Sequence, residues 1–126
     1  MKSINISILF IVLILFVGGV LMNCENQKIK RDKGVYFFKG CNLYKLPAIP
    51  SEEISDNEIG QYSTYYEAVY NDKNNLVKLT KYLNKKVYFT YEYIYDDKNN
   101  IIEYTIIKGN DSNKTQRYNK NGDLIN

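Results

Sequence analysis

The feature that most constrains the fold of this 126-residue chain is a motif that occurs almost three times in its second half. Residues 91–102 read YEYIYDDKNNII, and residues 66–77 read YEAVYNDKNNLV. A shorter third copy, residues 118–125, reads YNKNGDLI. Every copy places an anchor tyrosine directly before a turn signal rich in Asn and Asp. Repetition of one motif in so short a chain predicts a small structural unit that packs against copies of itself.

Each copy has the pattern of a β-hairpin. Residues 72–75 and 97–100 share the sequence DKNN, which supplies Asn where a chain reversal requires a positive φ, and residues 121–122 form an Asn-Gly hairpin signal. After the second turn, Ile102, Tyr104 and Ile106 alternate with polar residues, as in a strand with one wet face. Further turn signals lie at 84–86 and 108–112. The predicted strands are residues 63–70, 76–83, 87–95, 101–107 and 114–118.

The fold class that follows is all-β. Consecutive strands joined by short turns pair antiparallel, so we expect an antiparallel β-meander of about five to seven strands. One small β domain would occupy residues 34–126, with repeats at about 62–84, 87–109 and 112–126. Before the repeats, residues 34–38 and 41–46 predict a possible hairpin. Residues 47–50, PAIP, predict a rigid breaker and the best internal boundary, and Ser51 is a candidate N-cap for one helical turn.

The N-terminus has the pattern of an export signal. Lys2 is followed by residues 8–22, which carry no charge and are short for a membrane span but long enough for a signal-peptide core. Residues 1–23 are therefore predicted to be a signal peptide. The alternative is an uncleaved apolar helix that anchors the chain by a single pass. Four basic residues follow the run, which under the positive-inside rule would place the domain in the cytoplasm.

Leu21-Met22-Asn23-Cys24 resembles the lipobox of bacterial lipoproteins. The resemblance implies that Cys24 receives diacylglycerol and becomes the mature N-terminus, with residues 24–33 as a tether to the membrane. It also implies a lipid-anchored domain on the extracytoplasmic side of a bacterial cell envelope. Cys41 is the only other cysteine. It would be a buried thiol or a dimer contact if Cys24 is acylated, and a possible disulfide partner if Cys24 is free.

The repeats themselves resemble the tyrosine–aspartate (YD) repeats of bacterial cell-surface and toxin-shell proteins. Those repeats also place Tyr-Asp or Tyr-Asn before an Asn/Gly turn that is followed by Leu or Ile. The matching residues are Tyr70-Asn71 with Leu76, Tyr95-Asp96 with Ile101, and Tyr118-Asn119 with Gly122 and Leu124. The resemblance implies an extracytoplasmic β-sheet without chemistry of its own.

The composition excludes several kinds of catalytic site. The chain contains no histidine, so Ser/His/Asp and Cys/His arrangements cannot be built. Only two arginines are present, which argues against a nucleic-acid surface. Paired carboxylates remain as candidates for a small surface hydrolase, although exposed partners of lysines account for them equally simply. These carboxylates are Glu67, Glu92 and Glu103.

One turn carries a cluster of side-chain oxygens that suits a hard cation. The cluster comprises Asp96, Asp97, Asn99 and Asn100. The spacing, glycine and terminal Glu of an EF-hand are absent, so turn formation explains these residues more economically, and we expect neither a metal nor a cofactor.

A set of tyrosines on one strand parity is the remaining functional candidate: Tyr66, Tyr70, Tyr91, Tyr93 and Tyr95. In paired strands they would form an aromatic stripe that stacks on sugars or receives a protein partner. The alternative is that they form a packed layer covered by residues 34–46. The sequence thus favours a non-catalytic, lipid-anchored envelope module, structural or partner-binding. The alternatives are the carboxylate hydrolase and an inhibitor or immunity protein that neutralises a partner enzyme.

Overall fold

A computed structural model describes residues 29–125. The predicted signal or anchor segment, the lipobox and its Cys24 lie outside the described residues. Within residues 29–125, no helix combines the length and the apolar character needed to cross a membrane. Arg31–Asn126 form one compact unit. Residues 47–50 lie within that unit.

The described chain folds into a single antiparallel sheet of eight strands. The strands are β1 (Gly34–Asn42), β2 (Ile49–Ile54), β3 (Thr64–Tyr70), β4 (Leu76–Leu83), β5 (Lys86–Tyr95), β6 (Ile101–Ile107), β7 (Lys114–Tyr118) and β8 (Leu124–Ile125). Their order in the sheet is β2-β1-β3-β4-β5-β6-β7-β8. The all-β class and the antiparallel meander are confirmed. The predicted count of about five to seven strands is wrong, because the sheet has eight.

The turn signals located most strands correctly. β4, β6 and β7 have the bounds predicted from the sequence, and β3 and β5 differ by one residue at their starts. These strands are rich in Tyr, Thr and Ile, which favour a pleated surface over a helix. Each repeat forms one hairpin, so residues 62–84, 87–109 and 112–126 contribute two strands apiece.

The segment before the repeats differs from the prediction. β1 is one continuous strand that runs through Gly40 and Cys41, where the sequence suggested a turn between two strands. β2 contains Pro50, which an edge strand tolerates because one side of it makes no ladder hydrogen bonds. The helical turn is a short 3₁₀ helix, Asp56–Gln61, capped by Ser55 instead of Ser51. The backbone N–H of Ser55 donates to Glu58 Oε2 at 2.8 Å, which ties this cap to the first turn.

Three equivalent turns connect the two strands of each repeat hairpin, and all three lie at the same end of the strands. In each turn the first polar residue accepts two backbone N–H groups through its Oδ1, at 2.8–3.0 Å. These residues are Asn71, Asp96 and Asn119. The fourth position has a positive φ in all three turns: Asn74 (60°), Asn99 (64°) and Gly122 (85°). The sequence repeat is therefore a repeat of turn geometry, with side-chain oxygens replacing backbone acceptors.

The hydrophobic core lies on one face of the sheet. Phe38 and Leu79 are its largest fully buried side chains. The hairpin of β1 and β2 covers this face, since Cys41, Leu43 and Ala48 pack against the core cluster. On the opposite face Thr80 and Thr90 are also buried, and most other side chains are half-buried or exposed.

Candidate binding groove between the second and third turns

Two hydrogen bonds donated by side chains join the first repeat to the second beside their turns. Asn75 Nδ2 donates to Asn99 Oδ1 at 2.8 Å, and the Tyr95 hydroxyl donates to the Leu76 carbonyl at 2.7 Å. Asn75 is buried, so its amide depends on this partner. The two bonds close the junction between adjacent repeats.

Arg31 closes the other side of the first turn. Its backbone N–H donates to Asn74 Oδ1 at 2.9 Å, which is the same role that Asn75 plays for Asn99. Its guanidinium carbon lies 4.8–5.7 Å from the ring centroids of Tyr36, Phe38 and Tyr70, and the group forms an ion pair with Glu53. Such contacts fix a cation over aromatic faces. Sequence reasoning assigned Arg31 to the tether and missed this role.

The junction between the second and third turns lacks both links. Position 122 is glycine, so no carboxamide stands where Asn99 accepts from Asn75. Asn100 Nδ2 instead reaches back to Asp96 Oδ2 at 3.3 Å, and the Tyr118 hydroxyl donates to Gln116 Oε1 at 3.1 Å. Among residues 29–125, Asn100 and Tyr118 thus bond within their own hairpins. The β6–β7 ladder pairs the two repeats, but neither side chain makes the bond that its counterpart makes between the first and second turns.

A groove of about 360 Å³ occupies this open junction. The β1–β2 loop lines it through Leu46 and Pro47, and Ile101 of β6 is a third apolar lining residue. The remaining lining residues are two tyrosines, three asparagines, one lysine and one glycine: Tyr95, Tyr118, Asn99, Asn100, Asn121, Lys120 and Gly122. An added Cβ at Gly122 would meet no atom within 4 Å, which reflects the space that this junction leaves.

Comparison with known proteins assigns the sheet to a family. A family model matches residues 30–126. The chain belongs to DUF6156, described as a family of unknown function. No curated protein and no solved structure matches it significantly. The DUF6156 match includes Arg31, all eight strands and the groove, and it begins after the predicted lipobox.

The five tyrosines of the predicted binding face share one face of the DUF6156 sheet. Tyr66, Tyr70 and Tyr93 are buried in the core, which supports the interpretation as a packed layer. Burial raises the pKa of Tyr93 to about 12 even though its oxygen accepts the Ala48 N–H at 3.2 Å. Tyr91 is half-buried and stacks on Phe89. Of the five, only Tyr95 lines the groove.

The three candidate catalytic carboxylates lie on the opposite face of the sheet. Glu92 pairs with Thr105 and Glu103 with Ile94, so these two carboxylates are diagonal neighbours on β5 and β6. Glu103 forms an ion pair with Arg117 at 3.0 Å. Glu67 lies two strands away from Glu92 on β3, opposite Thr80. The described groove lies on the other, covered side of the sheet.

The oxygen-rich turn uses its groups internally. Asp96 accepts the N–H groups of Lys98 and Asn100, and the backbone hydrogen bond from Asn100 lowers the pKa of this carboxyl. In the part of the chain that the structure describes, no cluster of three or more His, Cys, Asp or Glu side chains is placed to hold a metal ion.

Cys41 is a free thiol that packs against the core of the DUF6156 domain. Burial raises its pKa to about 12, so it stays protonated at neutral pH. This environment fits the buried thiol among the alternatives that the sequence left open.

Proposed function

We propose that this DUF6156 protein is a non-catalytic, lipid-anchored module of a bacterial cell envelope that holds a partner close to the membrane surface. Leu21-Met22-Asn23-Cys24 supplies the attachment signal. The supporting structural observation is the open junction beside Gly122. It offers a ligand tyrosine rings and carboxamides, which are binding groups, whereas a hydrolase would need a converging pair of carboxylates.

The place where the folded domain begins also supports the proposal. Seven residues lead from Cys24 to Arg31, whose side chain is held by Tyr36, Phe38 and Glu53. A segment of that length spans at most about 25 Å when fully extended. Acylation of Cys24 would therefore keep the domain near the bilayer.

Metabolic labelling with a palmitate analogue tests the anchor. We expect the wild-type chain to be labelled, a Cys24→Ala variant to be unlabelled, and a Cys41→Ala variant to be labelled like wild type. Label that follows Cys41, or an intact N-terminus with unmodified Cys24, would refute the lipid anchor. Retention of that unmodified chain in the membrane would instead support the uncleaved single-pass anchor.

The carboxylate hydrolase is the alternative from a different class. It requires a loss of hydrolytic activity in Glu92→Gln or Glu103→Gln with an unchanged thermal unfolding midpoint. Glu92 is exposed and Glu103 is paired with Arg117, which makes this alternative the weaker one. An inhibitor or immunity role would be detected by recovery of a stoichiometric enzyme partner from the native envelope.

A further inference from the structure

The loop between β1 and β2 presents apolar side chains to solvent from a well-anchored base. Leu43 packs against the core cluster. Ala48 is buried, and its backbone N–H donates to the Tyr93 hydroxyl at 3.2 Å. Between these two attachment points the Tyr44 side chain is fully exposed and Leu46 is 46% exposed. The loop is therefore held at both of its ends while its apolar tip points away from the core.

This loop tip lies at the same end of the sheet as the point where the tether enters the domain. Leu46 and Pro47 line the groove beside the second and third turns. The backbone N–H of Arg31 donates to Asn74 in the first turn. Neighbouring repeat turns are two strands apart, and strands are spaced by about 4.8 Å, so roughly 10–20 Å separates the first turn from the other two. A bilayer that holds the tether is therefore within reach of the loop tip.

We propose that the tip of the β1–β2 loop inserts into the interface of the bilayer to which the chain is attached. The contact rests on the proposed function, because membrane attachment at the N-terminus, by an acyl chain or by the apolar helix, brings the loop to the bilayer. A tyrosine suits the headgroup level, where its ring is buried and its hydroxyl stays hydrated, and aliphatic side chains suit the adjacent acyl boundary. Tyr44 and Leu46 supply these groups, and Ile49, which is 54% exposed, adds apolar surface beside them.

The size of the tip favours a bilayer over a protein partner. A stable protein interface buries about 800 Å² on each partner. Three side chains on one loop offer much less than this area. Interfacial insertion needs no such area, because it adds a weak second contact to a chain that the N-terminal attachment already holds at the membrane.

The charges around the tip favour an apolar contact over an electrostatic one. Lys45 is exposed between Tyr44 and Leu46, and a lysine can bury its stem while its ammonium group stays in water. Elsewhere at this end basic and acidic residues adjoin, since residues 72–73 and 97–98 both read Asp-Lys. Each aspartate offsets the attraction of its neighbouring lysine to anionic headgroups. Insertion should therefore occur in zwitterionic and anionic bilayers alike.

The absence of tryptophan from the sequence allows a site-specific test. Tyr44→Trp places a single indole at the tip, where the exposed side chain supports no other part of the fold. The full chain is reconstituted in phosphatidylcholine vesicles whose acyl chains carry bromine atoms at one of several depths, and the quenching of tryptophan fluorescence by bromine is measured. We expect quenching that is strongest with the shallowest bromines, together with a shift of the emission to shorter wavelength. Added phosphatidylglycerol should leave the quenching unchanged.

Two controls use the opposite end of the sheet. Tyr88 is 42% exposed and precedes Tyr95 on β5 by seven residues, which places it about 23 Å from the repeat turns, so Tyr88→Trp should not be quenched. When combined with Tyr44→Trp, Leu46→Ser should lower the ratio of inserted to free loop roughly fivefold, as expected for removal of a half-exposed leucine side chain. Val87→Ser removes a comparably exposed apolar side chain at the far end and should leave that ratio unchanged.

The outcomes separate the loop contact from the anchor. An acylated, vesicle-bound chain in which Tyr44→Trp is not quenched would refute the insertion and leave the anchor intact. Equal quenching of Tyr44→Trp and Tyr88→Trp would also refute it. A shift to shorter wavelength without quenching would mean that the loop packs on protein, which overturns the membrane contact. Quenching in a chain whose Cys24 is not acylated would refute the lipid anchor and support the loop contact.

Discussion

The three equivalent turns allow a comparison that separates backbone strain from lost hydrogen bonds. Their fourth positions have φ values of 60°, 64° and 85° and are occupied by Asn74, Asn99 and Gly122. Alanine at any of them must adopt a left-handed conformation that costs roughly 1–2 kcal/mol. Glycine adopts it without that cost. The difference in unfolding free energy between the alanine and glycine variants of one site therefore reports the strain, less the roughly 0.4–1 kcal/mol by which the freedom of glycine stabilises the unfolded chain.

The hydrogen bonds add a second contribution that differs between sites. Asn99→Ala also removes the acceptor for Asn75, a residue that is 5% exposed, and one such bond contributes about 1 kcal/mol. We therefore expect Asn99→Ala to lose about 2–3 kcal/mol and Asn99→Gly about 1 kcal/mol. Gly122→Ala should lose only the strain, roughly 1 kcal/mol, because its Cβ meets no atom within 4 Å.

Urea unfolding of the full chain in micelles, followed by the near-ultraviolet circular dichroism of its thirteen tyrosines, provides the free energies. For a domain of this size, 1 kcal/mol corresponds to a shift in Tm of roughly 4–8 °C, so the series is easily resolved. Equal losses in Asn99→Ala and Asn99→Gly would refute the strain argument. Wild-type stability of Asn99→Gly would instead refute the contribution of the cross-turn bond.

Three further predictions concern single groups. Arg31→Met should lower the free energy of unfolding, measured by urea titration, by about 1–2 kcal/mol. The substitution removes both the cation that lies over the aromatic rings and the ion pair with Glu53. An unchanged free energy would mean that these contacts do not hold the guanidinium in solution. Burial raises the pKa of the Cys41 thiol, so this thiol should react with iodoacetamide at pH 8 much more slowly in the folded chain than in urea. Mass spectrometry of the Cys41 peptide measures the two rates, and equal rates would contradict its burial. Because the pKa of Tyr93 in the folded state, about 12, exceeds its unfolded value near 10, its contribution to stability is complete below pH 10 and is lost as pH rises to 12. The urea midpoint should therefore fall more steeply over that interval in wild type than in Tyr93→Phe, and parallel curves would contradict the assignment.

The sequence predicted the repeat region well because its turns are specified locally. Asn74, Asn99 and Gly122 are residues that accept a positive φ, and Asn71, Asp96 and Asn119 have side chains that bond the backbone two and four residues ahead. Such turns fix where strands end without help from distant residues. The bounds of β4 and β6 were therefore predictable from the chain alone.

Residues 34–61 were predicted less well because their structure depends on long-range contacts. Pro47 and Pro50 are breakers in isolation, yet Pro50 lies in β2, whose outer edge needs no ladder hydrogen bond. Ser51 and Ser55 are both acceptable N-caps, but only Ser55 has a Glu three residues later, which the capping-box pattern could have identified.

The groove could not be predicted because its formation depends on a missing contact. Gly122 in place of Asn is visible in the sequence, but its effect follows only from the register that sets Asn75 beside Asn99. The position of Leu46 and Pro47 over the third hairpin likewise depends on how the β1–β2 loop crosses the core face.

The place of β1 in the sheet has a mechanical consequence. β1 is the first strand within residues 29–125, yet it is hydrogen-bonded on both sides, to β2 and to β3. Force applied through the N-terminus therefore loads two ladders at once and also pulls on the Arg31 contact with Asn74. An edge strand under the same force would detach one bond after another. Traction from the N-terminal side consequently meets a strand that is paired on both sides, so we expect it to resist more than an edge strand would.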